Sequence, residues 1–477
     1  MAAFLDLCRF VASAGGTADW TYSSAVSPYL SPANAGAING RVYKVRAEST
    51  DLTQWEVSEG AYSSAGAGSF ARTTVLYNSA GSGTLQAGAG SKINFTVAPQ
   101  VWVVASKRDL LSIEEANSFT AAQKAQAHAN IDALQKNYIV NGAMMVSQEN
   151  GSTAVTAAGS YPVDQFFIDY AMGGTLAAAQ VASVTPSGSP NRLRVAVTAA
   201  DASVAAGDIV YLAQRIEGLR VADLLFGTAS AKTIAVKFGV KAPAGTYCVV
   251  ITNASSNRSY ASEYVISAGE ANTDVVKSVT VPGDTSGTWA KDNTSGIQVR
   301  FCLMAGSTFQ QAAGSWGTGN VAGSSNQFNF MGTLSNVFEL FDVGLYEGAA
   351  APAFQVPDFS SELALCMRYW EKSYDYATAL GSVTLTNCSG FFVNGLSAST
   401  QGGFTITFQA RKRATAPSLQ AYSPNTGAAG QAYDAQANVD RAATLDLAGD
   451  RGFRFFIVSG GQAGQAIYVH WRANSRM

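Results

Sequence analysis

Apolar and polar residues alternate along most of this chain with a period of two, in short runs bounded by Gly, Ser, Asn and Pro, the pattern of half-buried β-strands. Over 1–105 the runs are Arg41–Arg46, Thr53–Val57 more loosely, and Ile93–Val97, with small-residue loops such as Ser79–Thr84 between them. Over 106–136 the pattern changes. Ser112 precedes Glu115, and Thr120 precedes Gln123, each a hydroxyl three residues ahead of Glu or Gln, the spacing of a helix capping box. An Ala-rich stretch then runs to Leu134, so two short helices are predicted, too brief and irregular for a coiled coil.

From 137 to 357 strands recur with turns between them: Arg192–Val197, Ile209–Ile216, Thr233–Phe238, Tyr247–Ile251, Val275–Val281, Ile297–Cys302 and Phe338–Leu345. That recurrence predicts a two-sheet sandwich of the jelly-roll kind. From 358 to 477 a helix or turn at Ser360–Cys366 leads into strands at Phe404–Phe408, Phe453–Val458 and Ala466–Trp471, a second small β domain. The fold class expected is therefore all-β and multidomain: a small N-terminal β domain (1–105), a helical connector (106–136), a jelly-roll β-sandwich resembling a carbohydrate-binding module (137–357) and a C-terminal β-sandwich tip (358–477).

Composition narrows the functions this frame can serve. Of 477 residues 47% are hydrophobic, enough for real cores, but only 13% are charged, about half the usual share. Gly, Ser, Thr, Ala and Asn must cover the surface, which suits neutral ligands such as glycans. The net charge of −2 and the lack of any sustained basic surface argue against nucleic acid. The densest basic cluster, Arg411–Arg413, reads as a solvated strand end. No run approaches the roughly 18 apolar residues of a spanning helix, so no membrane insertion is expected. The opening residues lack the form of a secretory signal, and synthesis and folding in a bacterial cytoplasm are expected. Cys8, Cys248, Cys302, Cys366 and Cys388 are odd in number and far apart, against a zinc site or a disulfide framework. Buried free thiols are expected, with an intersubunit disulfide through Cys8 as the alternative. No cofactor or metal is expected.

Three places resemble bacteriophage tail fibre proteins. Trp55–Tyr62, followed by Ala71–Leu76, resembles the module at the virion-proximal end of such fibres. Ser118–Ala133 resembles a connector that recurs in them. The longest match opens the sandwich at Asn137–Gln148 and continues through Tyr161–Phe167, Gln214–Gly218, Gly287–Trp289 and Gly314–Trp316 to Phe341–Gly348 and Glu362–Trp370. Tyr346 and Trp370 depart from the pattern, in place of an acidic residue and a Tyr. The motif reads as structural, and a buried Arg368 needs a carboxylate, for which Glu217 or Glu347 could serve. The resemblance implies a virion protein of the phage tail, attached through residues 1–105 to other tail or baseplate proteins. A homotrimer is expected, because a narrow, small-residue connector lets chains approach a shared axis.

Catalysis is not expected. Sugar cleavage needs two carboxyl groups across one cleft, and Asp164, Glu217, Asp342 and Glu347 each sit in a motif with a simpler structural role. No short repeat of the kind that builds a parallel β-helix is visible. His128 and His470 cannot make a metal triad, and no GxSxG elbow is present. The expected activity is recognition of host surface polysaccharide by the outer domains. The alternatives are a purely architectural baseplate or collar component and a polysaccharide-cleaving tailspike. Tyr374, Tyr376, Phe391, Phe392 and Tyr422 lie in polar company in the last domain. Tyr374, Tyr376 and Tyr422, with Arg411 and Arg413 beside them, are the expected glycan-binding set, rings for stacking and guanidinium groups for acidic sugars or phosphates.

Overall fold

The computed structural model describes residues 4–83, 90–105, 135–392, 400–461 and 464–477. Both predicted connector helices fall at 112–134, outside the described residues. The protein is all-β, and the chain divides into two compact units, Met1–Phe119 and Thr120–Met477.

In the first unit the strands Val42–Glu48, Gln100–Val103, Arg9–Ala12, Trp20–Ala25, Ser69–Phe70 and Trp55–Ser63 follow one another edge to edge. The last pairs back onto the first, with Val42 opposite Ala61 and Glu48 opposite Trp55, so the sheet closes on itself and those edges are removed. Alternation does the folding: along Trp55–Ser63 every second side chain is buried. The interior holds Phe10, Trp20, Tyr43, Tyr62, Phe70 and Phe95. Ile93–Val97, expected as a strand, forms only a bridge from Phe95 to Gly16. Its backbone is claimed by a buried ion pair instead. The Ile93 amide donates to Glu56 at 2.9 Å, and the Ile93 carbonyl accepts from Arg72 at 3.0 Å. Arg72 and Glu56 have fully buried side chains, and the Arg72 guanidinium lies 4.0 Å from the Trp20 ring centroid.

The second unit opens with a jelly-roll-type sandwich. One antiparallel sheet runs Thr175–Ala182, Asn191–Ala199, Val337–Glu347, Ile234–Lys241, Val275–Val281. The facing sheet runs Trp316–Gly317, Ser259–Ile266, Gly245–Thr252, Ser295–Ala305, Ile209–Glu217, Phe166–Ala171, Ser160–Val163. Leu193, Val195, Phe238, Phe301 and Leu340 belong to the core between them. The outer face of the second sheet is covered as well, with Val321 and Ala322 packed in a cluster with Tyr211, Cys248 and Cys302. Ser295–Ala305 is therefore buried at all but its first position, the polar Gln298 and Arg300 included, and Phe301–Ala305 is continuously apolar.

The remainder is organised around Ala466–Asn474, which pairs with four strands along its length: Trp370–Lys372, Ser389–Phe392, Ser418–Tyr422 and Gln431–Asp434. Val439–Asp446, Gly452–Gly461 and Thr400–Thr407 extend the sheet. Phe453, Phe455, Ile467 and Trp471 form its core.

The motifs scattered through the sequence meet where the sandwich joins this last region. Asn141, fully buried with φ 59°, donates to the carbonyls of Val146 and Asp164 and accepts from the Val146 amide. Its own amide donates to Glu362 at 3.0 Å. Gln214 exchanges two hydrogen bonds with the backbone of Val140, and Gln148 donates to Asp164 and to the Trp370 carbonyl. Arg368 forms a bidentate pair with Glu217 at 2.8 and 2.6 Å, and the Tyr369 hydroxyl donates to the same carboxylate at 2.9 Å. Glu347 pairs with Lys232 instead. Each polar residue in this knot serves a backbone group or a charge that is wholly or partly withdrawn from water, so residues far apart in the chain are held at one place.

The basic cluster is not a solvated strand end. Arg411 is exposed and paired with Asp450, but Lys412 is buried against Glu371, and Arg413 donates to the carbonyls of Ser475, Asn293 and Arg476. Periodicity misses this because Lys412 sits outside any strand and is drawn inward by a carboxylate 41 positions away. All five cysteines are free thiols, four of them buried, Cys8 included. Among the described residues no helix is long and apolar enough to cross a membrane.

Candidate functional site

The chain leaves the sandwich through the helix Phe359–Met367. Asp358 caps it, its carboxylate accepting from the Ser361 amide at 2.9 Å. The helix turns Glu362 and Cys366 inward and ends at Arg368, held by Glu217. Trp370–Lys372 follows, in register with the last strand, Trp370 opposite Asn474 and Lys372 opposite Arg472. The loop beyond it carries Ser373, Tyr374, Asp375 and Tyr376.

These elements enclose a cleft of about 590 Å³. Leu363 and Met367 of the helix form one side, and Phe404–Thr407 with Gln409 another. Glu371 to Tyr376 line it from below, and Asn387, Ser389, Trp471 and Gln148 complete it. Its lining combines amides, hydroxyls and aromatic rings.

Beneath it, Glu371 and Lys412 form an ion pair in which both side chains are fully buried. Glu371 also accepts from the Gln409 amide at 2.9 Å, and Lys412 donates to the Met367 carbonyl. One pair thus ties the helix end, the short strand and the 404–409 wall together. Burial lowers the Lys412 pKa, and Glu371 opposes that shift.

Lys372 is 6% exposed and donates to the carbonyls of Tyr376 at 2.9 Å and Thr378 at 2.7 Å. Burial pulls its pKa down to about 8, with Asp164 and Asp375 acting the other way. Ser373 lies 2.9 Å from Nδ1 of His470, whose Nε2 faces the Thr384 carbonyl at 3.0 Å. A carbonyl only accepts, so Nε2 carries the proton and Ser373 donates to Nδ1. Burial lowers the His470 pKa, consistent with that neutral tautomer.

Of the residues expected at the site, two line the cleft. Tyr374, expected at the surface, is only 5% exposed and stacks on His470 at 3.7 Å and 16°. Burial pushes its pKa up to about 12. Tyr376 is more open, and its hydroxyl accepts from the Ser147 amide at 2.9 Å and donates to the Met145 carbonyl at 3.2 Å. Tyr422 stands edge-on to Tyr374, 6.4 Å between centroids, without lining the cleft. Arg411 and Arg413 lie outside the lining as well, with the partners given above. Phe391 packs against Phe404 and Phe455, while Phe392 is 68% exposed. Sequence reasoning passed over Lys372, Gln148 and Asn387. The one available signal was Glu371–Lys372 set within a run of aromatics, Tyr369, Trp370, Tyr374 and Tyr376.

The four carboxylates weighed for sugar cleavage have separate partners: Asp164 holds Gln148, Glu217 holds Arg368, Asp342 accepts from Ser189 and Glu347 pairs with Lys232. Among the described residues no group of three or more His, Cys, Asp or Glu is placed to hold a metal ion.

No known family profile matches the chain, and no curated protein does. Similar solved structures exist. The enzymatically active domain of tailspike protein 4 of bacteriophage CBA120 is 10% identical with a TM-score of 0.24, the match covering 44% of this chain and 21% of that one. An arabinose-bound α-L-arabinofuranosidase is 10% identical at a TM-score of 0.25, over 46% of this chain and 28% of the other. The family 11 carbohydrate-binding module of a cellulosomal cellulase of Clostridium thermocellum is 12% identical at 0.23, over 42% of this chain and 97% of the module. Enzymatic domains stand among these structures, so the expectation that the chain is not an enzyme is withdrawn.

Proposed function

We propose that this protein is a bacteriophage tail appendage that recognises host surface glycan through the cleft between the helix Phe359–Met367 and the C-terminal sheet. The observation that carries the proposal is the cleft's lining: the Tyr376 ring beside the amides of Gln148, Asn387 and Gln409 and the hydroxyls of Ser373, Thr405 and Thr407. Aromatic faces stack on the apolar face of a sugar, and fixed amides and hydroxyls read its hydroxyl groups. The low charge of the chain and the resemblance of its ordered motifs to tail fibres support the same reading. In this proposal residues 1–105 hold the virion, the remainder projects outward, and the working form is a homotrimer.

The test is binding of the full chain to an array of bacterial surface polysaccharides, repeated with Asn387→Gly and Tyr376→Leu. Asn387 has φ 60°, which glycine adopts without strain, and its side chain donates to Asp375. The Tyr376 hydroxyl bonds only backbone, and leucine removes the ring while keeping an apolar side chain. Weakened binding by either variant at an unchanged melting temperature supports the cleft. Parental binding by both variants would place recognition elsewhere on the molecule.

A further inference from the structure

Buried and half-buried cations in this protein are commonly matched with carboxylates. Arg72 has Glu56, Lys412 has Glu371, Arg192 has Glu339 and Asp274, and Arg258 has Asp284. A cation stripped of water is tolerated only where other charges or dipoles replace the solvent. Arg413 and Arg300 show the second solution, a guanidinium surrounded by carbonyl, amide and hydroxyl acceptors.

Lys372 fits neither solution fully. Lys372 lines the cleft while only 6% exposed. Two carbonyls accept from its Nζ, and among the described residues no carboxylate lies within ion-pairing distance. An ammonium group has three donors, so one is left for a ligand. The neighbouring carboxylate Glu371 is matched by Lys412 and does not supply the missing charge. At neutral pH Lys372 is thus a charged, largely desolvated group at the wall of an open site.

We infer that Lys372 is the anion subsite of this cleft, and that the glycan read there carries a carboxylate, as a uronic acid or a pyruvyl ketal does. The inference rests on the glycan-binding reading above. A monoanion balances one ammonium, and a carboxylate oxygen accepts a charge-assisted hydrogen bond from it. A terminal phosphate, a near-dianion, would add uncompensated negative charge beside Asp164 and Asp375, the carboxyl groups that act on Lys372, and a phosphodiester, a monoanion, is told apart by the test because carboxyl reduction leaves it unchanged.

The experiment presents the full chain with a panel of bacterial capsular and O-antigen polysaccharides, each in native and carboxyl-reduced form. Parent protein is expected to bind native acidic members roughly tenfold or more tighter than their reduced forms, the scale of one hydrogen bond to a charged group. Lys372→Met should erase that preference and Lys372→Arg should retain most of it. The preference of the parent should also decline as pH rises past 8, whereas that of Lys372→Arg, whose guanidinium stays charged, should not. The groups around the lysine allow that assignment: Asp164, Asp375, the Glu371–Lys412 pair, His470 with its pKa lowered, and Tyr374 and Tyr376 with theirs raised. Equal binding of native and reduced forms by the parent overturns the anion subsite and leaves glycan recognition standing, and that comparison needs no variant to fold. A preference that survives in Lys372→Met overturns it too. Binding to no member of the panel overturns both readings.

Discussion

Replacing Glu371 by Gln would remove one negative charge from beneath the cleft while keeping the shape of the side chain. Lys412 would then be a buried ammonium, 1% exposed, left with neutral partners only: the Met367 carbonyl, the Phe408 ring 4.7 Å away and the amide oxygen of the new side chain. Breaking a buried pair from one side costs about 3–5 kcal/mol, because the remaining charge is uncompensated. A ceiling comes from the escape open to Lys412, which is to release its proton. For an ordinary lysine that costs about 4.6 kcal/mol at pH 7 and about 1.9 kcal/mol at pH 9. The sign follows from the direction of the shift. Burial already lowers the Lys412 pKa and Glu371 opposes it, so the substitution lowers it further. The unfolded chain then binds more protons than the folded one below its ordinary lysine value, and the variant regains stability as pH rises toward that value.

The assay is urea unfolding followed by tryptophan fluorescence, since Trp370 and Trp471 both lie in this region. The expected result is a loss of about 3–4.6 kcal/mol at pH 7 that shrinks to about 2 kcal/mol at pH 9. The double substitution Glu371→Gln with Lys412→Met should recover much of the loss, because neither charge remains. A single variant within about 1 kcal/mol of the parent at pH 7, or a deficit equal at the two pH values, would refute the argument.

Tyr374→Ala should destabilise by about 3 kcal/mol or more, since a buried ring stacked on His470 is lost, and Tyr374→Phe by much less; melting curves of the two variants decide it. Arg72→Met should cost about 3–5 kcal/mol by leaving Glu56 uncompensated inside the first unit, measurable by chemical denaturation, with Arg72→Met/Glu56→Gln recovering part of it. A thiol reagent at pH 8 should label the native protein at Cys388 alone and all five cysteines after denaturation, because the other four are buried and burial holds the Cys8 pKa at about 11. Early native labelling of Cys8, counted by mass spectrometry of the digested protein, would contradict that burial.

What the sequence by itself determined is the set of long strands and the class they imply. Val275–Val281 coincides with its predicted run, and Asn191–Ala199, Ile209–Glu217 and Gly245–Thr252 extend theirs by a few residues, because a half-buried strand writes its own period into the chain. The helix Phe359–Met367 was legible only as a helix or turn, with its Asp358 cap unread, and the need of Arg368 for a carboxylate narrowed its partner to Glu217 or Glu347, between which only the fold chose. Short strands such as Trp370–Lys372 and Ser389–Phe392 were not, since three or four residues carry too little alternation to register, and all of Trp370–Lys372 is buried. Ile93–Val97 shows the reverse: it alternates cleanly, yet the Ile93 amide donates to Glu56 and its carbonyl accepts from Arg72, bonds that a neighbouring strand would otherwise supply. The cleft belongs wholly to the tertiary structure. It set Tyr374 into the interior, drew Lys412 out of an apparently solvated run, and brought Gln148 to Lys372 across more than two hundred positions of chain, as the 222-residue separation of the neighbouring Gln148–Trp370 bond shows. Periodicity records which side of an element is buried; which elements then face one another is decided by long-range pairing and by buried charges finding partners, and no local pattern encodes either.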